Sequence, residues 1–203
     1  MANDRWLEDV WPRFGTNHAA YDALTFRELP IVLAAQNDSM LEHLLRKRLV
    51  DDADVLKEVL GTNGPLGGSK NRRDVAYLLG IIEEEPHRIF GITSKIRNHF
   101  AHVATASSSD QTVRDQIKNL VPPFVDYARK IGYVESTPGF EDMIADQLRR
   151  SRDSDEAAGG LLIGANLLVQ IVLNAFEPRV TRLKGAYGIY NGIKMAFSEP
   201  PTG

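Results

Sequence analysis

Apolar residues recur three and four positions apart along nearly all of the 203-residue chain, and no run of alternating β-branched residues stands between turn signals. This pattern predicts an all-α helical bundle. A first long helix is expected from Pro30, a residue suited to the first helical position, to Val50. Its apolar stripe reads Ile31, Ala34, Ala35, Met40, Leu41, Leu44, Leu45 and Leu49. Asp51, Asp52 and Asp54 offer N-cap oxygens to a short helix over Val55–Leu60. Gly61–Gly68 contains four glycines and a proline and must turn, since proline blocks helix continuation. Ser69 or Asn71 is the expected cap of the next helix, with Val75, Leu78, Leu79 and Ile82 on one face. Glu83-Glu84-Glu85-Pro86 places acids and a proline at a helix start, and Ile89, Thr93, Ile96, Phe100 and Val103 continue that helix. After a small-residue loop, Thr105–Ser109, Asp110 stands as an N-cap for Gln111–Gly132, with Pro122-Pro123 as the place for a kink.

Glu135–Gly139 is the expected boundary between a helical domain, residues 26–134, and a helical extension, residues 135–203. Residues 1–25 read as an N-terminal arm with Trp6, Trp11 and Phe14 as anchors. The extension holds a short helix, Phe140–Arg150, a polar hinge, Ser151–Ser154, and a long apolar helix, Asp155–Phe176. Its tail, with Tyr187 and Tyr190, is expected to fray. Asn166, Gln170 and Asn174 form a ladder of amides on the apolar helix, so that helix is either buried in its own chain or paired across a second subunit. The apolar stretch Leu161–Phe176, interrupted by those amides, reads as too short and too polar to span a membrane.

Composition narrows the chemistry. With 43% hydrophobic and 25% charged residues the chain is an ordinary globular protein. The absence of cysteine excludes disulfides, thiolate metal sites and cysteine nucleophiles, and a cytoplasmic location fits. The net charge of −3 lacks the basic balance of proteins that track DNA, and no signal peptide opens the chain. The basic clusters Arg46-Lys47-Arg48 and Lys70-Arg72-Arg73 are solvated helix ends or, together, a modest phosphate-attracting patch.

The densest candidate chemistry lies in Lys95-Ile96-Arg97-Asn98-His99-Phe100-Ala101-His102. Ile96 and Phe100 share the core face, while Lys95, Asn98, His99 and His102 share another. Arg97 and His102 are five residues apart, about 140° around an unbroken helix. They meet over one small group only if the helix breaks near Ala101 or a second subunit supplies one of them. An imidazole, a guanidinium fork and an amide suit phosphodiester cleavage in RNA: the first moves protons, the second holds phosphoryl oxygens. The alternative is a solvated polar face, with His102 favoured at a helix C-terminus by the dipole. His99 and His102 have no third ligand nearby, so no metal and no cofactor are expected.

Three segments resemble the mannitol operon repressor family of bacterial proteins. They are Leu33-Ala34-Ala35 with Asp38, Leu41, Leu44-Leu45 and Leu49; Asn63-Gly64-Pro65-Leu66-Gly67 with Arg72 and Ala76-Tyr77-Leu78-Leu79-Gly80-Ile81-Ile82; and Lys95–His102 with Asp110, Val113 and Ile117. The resemblance covers Phe26–Leu120 and implies an all-α regulator without a DNA-reading helix-turn-helix. Arg97-Asn98 and His102 also resemble the arginine–four residues–histidine signature of the HEPN superfamily, which contains many dimeric, metal-independent ribonucleases. That likeness implies Arg97, Asn98 and His102 as catalytic candidates, with Lys95, His99, Arg72 and Lys70 as phosphate or RNA contacts. Arg73 departs from the family pattern, standing where an apolar residue is expected.

The expectation is therefore a cytoplasmic regulatory protein that forms a homo-oligomer, a dimer, and acts through protein contacts without direct base readout. The alternative is a HEPN-type endoribonuclease with RNA as its substrate. Neither membrane association nor sequence-specific DNA binding is expected.

Overall fold

The structure, a computed structural model, describes residues 21–182 apart from Asp22, Val50 and Ala104. The expected anchors Trp6, Trp11 and Phe14, and the tail with Tyr187 and Tyr190, lie outside the described residues. The described chain is all-α, with eight α-helices and no strand among its residues. In order these are α1 (Leu29–Arg48), α2 (Ala53–Leu60), α3 (Ser69–Leu78) and α4 (Glu84–His102), followed by α5 (Gln111–Lys130), α6 (Tyr133–Ser136), α7 (Phe140–Arg150) and α8 (Asp155–Phe176). A 3-10 turn, Glu177–Arg179, closes α8.

Local chemistry sets most boundaries. Asp52 accepts a hydrogen bond from the Val55 amide at 3.1 Å to start α2, and Ser154 accepts one from Ala157 at 3.2 Å to start α8. The expected cap of α3 is corrected: Gly68 holds that position, and the Asn71 amide instead donates to the Pro65 carbonyl at 2.8 Å, tying α3 to the glycine turn. Gly80 ends α3 with a φ of 64°. The Ile81 amide reaches back to the Ala76 carbonyl and the Gly80 amide to Tyr77, both at 2.9 Å, which is a Schellman closure. This turn exposes Leu78, which is 79% accessible although its spacing placed it on an apolar face with Ile82. The α5 helix continues through Pro122 and Pro123.

The core face of α1 uses Leu33, Leu41, Leu44 and Leu45, with Ile31 and Ala35 outward. The expected stripe misplaced the latter two because a polar residue, Asn37, sits in the middle of the buried face. The α4 and α5 helices pack antiparallel. At one end His99 meets Asp110; at the other Lys130 meets Glu83 at 3.1 Å and Glu85 at 3.3 Å.

Helices before and after residue 135 share one core. The α8 helix is buried on nearly every side, with Leu161, Leu162, Ala165 and Val169 fully enclosed by α1, α4, α5 and α7. A helix that is apolar all round belongs in the interior. Glycines let neighbours in: a Cβ on Gly159 would lie 2.9 Å from Leu29, and one on Gly160 would collide with the Gln147 amide.

The amide ladder is used within the chain. Asn37 donates to Asn166 Oδ1 at 2.7 Å, and Gln170 donates to Asn37 Oδ1 at 2.7 Å. Asn166 donates to the Leu162 carbonyl at 2.7 Å, and the Thr93 hydroxyl lies 3.0 Å from Asn166 Oδ1. Asn174 is exposed. Self-association through Asn166 and Gln170 is thereby closed, because both are enclosed and hydrogen-bonded to their own chain. By length and composition alone the longer segment Asp155–Arg179 passes for a candidate membrane span, as a buried core helix also does, and most of it is buried inside this fold.

Candidate functional site

The α4 helix carries the sequence-predicted site residues, and its periodicity disperses them. It runs unbroken to His102, with Val103 as C-cap, so the break near Ala101 that would bring Arg97 and His102 together does not occur. Arg97 is half-buried and lies within electrostatic range of Asp38 on α1. His102 is exposed and makes no hydrogen bond or ion pair with the described residues. Within one chain the two side chains leave the helix about 140° apart. Nearby, Arg27 donates to the Phe100 carbonyl at 3.0 Å and lies 5.9 Å from the Phe100 ring centroid, fastening the residues before α1 to this helix end.

His99 is half-buried beside the start of α5. Its Nε2 contacts Asp110 Oδ2 at 3.0 Å. That contact is the first cause holding the Asp110 carboxyl below its ordinary range, followed by hydrogen bonds from Ser107. His99 thus links the end of α4 to the start of α5.

Arg72 is also corrected as a phosphate contact. Only 7% of it is accessible. Its guanidinium donates to Asp38 Oδ2 at 2.6 Å and the Leu60 carbonyl at 2.6 Å, and lies 3.2 Å from Glu42 Oε2. These oxygens occupy the fork from inside. Burial pushes the Asp38 carboxyl above its ordinary value, outweighing the attraction of Arg72 and Arg97. Arg72 is a structural clasp between α3, α1 and the end of α2.

Lys70, Lys95 and Asn98 do come together. They line a groove of about 480 Å³ between α3, α4 and α5. Each helix supplies residues at the spacing of one face: Lys70 and Arg73 from α3, Arg88, Lys95 and Asn98 from α4, and Gln116 and Asn119 from α5. Asp74 is the acid at its α3 edge. It contacts Lys70 at 2.6 Å, His87 at 2.8 Å and Arg73 at 3.2 Å. The hydrogen bonds of Lys70 and then His87 hold its carboxyl far below the ordinary range. Arg88 and Lys95 are exposed and make no ion pair with the described residues. The Arg73 side chain is 13% accessible and its Nε is buried without a hydrogen-bond partner. Its guanidinium lies on the backbone of Gly91, where a Cβ would stand 3.0 Å from Nη1.

His87, Arg88, Gln116 and Asn119 were absent from the expected site, and Arg73 was expected only as part of a basic cluster with Lys70 and Arg72. Arg88, Gly91, Lys95 and Asn98 follow helical spacing and were open to being read as one face. Arg73 had a visible signal: a cation where the pattern called for an apolar residue. No protein family profile, curated protein or solved structure matches the chain.

Proposed function

We propose that this protein is a cytoplasmic regulatory protein that acts by binding, through protein contacts and without direct readout of DNA bases, as its resemblance to the mannitol operon repressor family implies. The observation that carries this reading is the course of α4, which keeps Arg97 and His102 on different faces of one regular helix. One chain alone therefore does not assemble the guanidinium–imidazole pair that hydrolysis of RNA would need. A second reading, the HEPN-type endoribonuclease, is favoured by one feature: His102 is exposed and unpaired among the described residues, open to an arginine from another copy.

Incubation of RNA with the purified protein in EDTA, alongside His102→Ala and sedimentation velocity, separates the two. Intact RNA in the presence of folded protein, whatever its oligomeric state, is the result expected for the regulator. Cleavage that His102→Ala abolishes would replace it with the nuclease.

A further inference from the structure

We propose that the groove between α3, α4 and α5 binds a small ligand carrying a chain of two or three phosphoryl groups. Four cations, Lys70, Arg73, Arg88 and Lys95, stand against one carboxylate, Asp74, in a chain whose overall charge is −3. The positive potential is local, and it requires a local reason. Lys70 and Arg73 are partly neutralised by Asp74, whereas Arg88 and Lys95 have no acidic partner among the described residues. These two are seven residues apart on α4, about 10 Å along its axis. That spacing suits successive phosphoryl groups better than one isolated phosphate. Arginine offers a planar fork to phosphoryl oxygens and lysine a mobile point charge.

The remaining walls fit the same ligand. Gly91 between Arg88 and Lys95 leaves the floor without a side chain, and Arg73 lies there with its guanidinium against the helix. Asn98, Gln116 and Asn119 add neutral donors and acceptors at the far side, suited to hydroxyl groups. The volume of about 480 Å³ is that of a small-molecule site. No phenylalanine, tyrosine or tryptophan lines the groove, and its one aromatic ring, the His87 imidazole, is packed on Tyr77 and paired with Asp74, so the groove lacks the row of open stacking platforms by which single-stranded nucleic acids are held. These features favour a free phosphorylated compound over an RNA strand. The inference is independent of whether the protein regulates or cleaves.

Titration of the full-length protein with inorganic tripolyphosphate, followed by calorimetry, tests the proposal. Saturable 1:1 binding that weakens with added salt is expected. Arg88→Glu with Lys95→Glu should weaken it at least tenfold, and both positions are exposed, so circular dichroism should remain that of the wild type. Lys57→Glu, an exposed charge reversal outside the groove, should change affinity less than twofold. Gly91→Ala keeps every charge but crowds Arg73, and should weaken binding severalfold. Absence of saturable binding at millimolar tripolyphosphate would overturn the proposal. So would equal losses from Lys57→Glu and the paired reversal, which would indicate a diffuse charge effect. A 20-nucleotide RNA that binds and is not displaced by tripolyphosphate would assign the groove to a polymer instead.

Discussion

The side-chain amide of Asn37 donates to Asn166 Oδ1 at 2.7 Å, joining α1 to α8 across 129 residues of chain. Both residues are buried, and Gln170 and Thr93 complete their hydrogen bonding. A satisfied network of this kind fixes the rotation of α8 relative to α1, because a turn of either helix would leave polar atoms unpaired in an apolar interior. Asn166→Ala removes the acceptor used by Asn37 and Thr93 and leaves a small cavity. Destabilisation of about 2–4 kcal/mol is expected in chemical denaturation. A double-mutant cycle with Asn37→Ala should return a coupling of about 1–2 kcal/mol, and strict additivity would show that the amides do not act as a pair.

Arg72 is held by Asp38, Glu42 and the Leu60 carbonyl in a nearly closed space. Removing one partner of a buried pair strands the other charge, so Arg72→Ala should cost about 3–5 kcal/mol near neutral pH. Burial already raises the Asp38 carboxyl, and loss of Arg72 should raise it further. A carboxyl whose folded pKa exceeds its unfolded value favours folding increasingly as pH falls through the folded value. The deficit of Arg72→Ala should therefore shrink between pH 7 and about pH 5, measured by urea midpoints at both. A constant deficit would place the damage in packing alone.

Asp74 behaves with the opposite sign. Lys70 and His87 hold its folded pKa well below the unfolded value of about 3.9. The contribution is fully present above the unfolded pKa and is lost as pH falls below about 4 toward the folded value. Asp74→Asn should flatten part of the acid limb of the stability profile below about pH 4. Because Asp74 is the acid of the groove, the same variant should tighten tripolyphosphate binding severalfold.

Gly80 carries a φ of 64° in the closure of α3. An alanine there meets open space but an unfavourable backbone conformation, so Gly80→Ala should cost about 1–2 kcal/mol. Gly91→Ala, inside α4, should be neutral or stabilising by up to about 1 kcal/mol through helix propensity, since the crowded atom is the movable end of Arg73. Thermal melts of the two variants should move in opposite directions or differ clearly; equal losses would contradict this account.

Helix extents were largely legible in the sequence. Phe140–Arg150 and Asp155–Phe176 are found where periodicity and flanking glycine and serine put them, because those signals act within a few residues. The four-residue α6 was not expected; so short a helix shows no period. Asn37 broke the reading of α1, since its partners lie 129 and 133 residues away. The same reason explains the candidate site. Lys70, Lys95 and Asn98 were visible as polar, but their convergence depends on how three helices cross. Arg72, one position from the groove's Arg73, faces inward for reasons that Asp38 and Glu42 on α1 and the Leu60 carbonyl at the end of α2 supply.

The enclosure of α8 has a consequence for biosynthesis. Leu161, Leu162 and Val169 emerge from the ribosome long after α1, α4 and α5, whose apolar faces they cover. A nascent chain ending near residue 140 has helices but nothing to fill the space between them, and exposes surface prone to aggregation. The domain therefore closes late, only after α8 has left the ribosome, and release of the chain before α8 is made leaves an orphaned shell for chaperones or proteases.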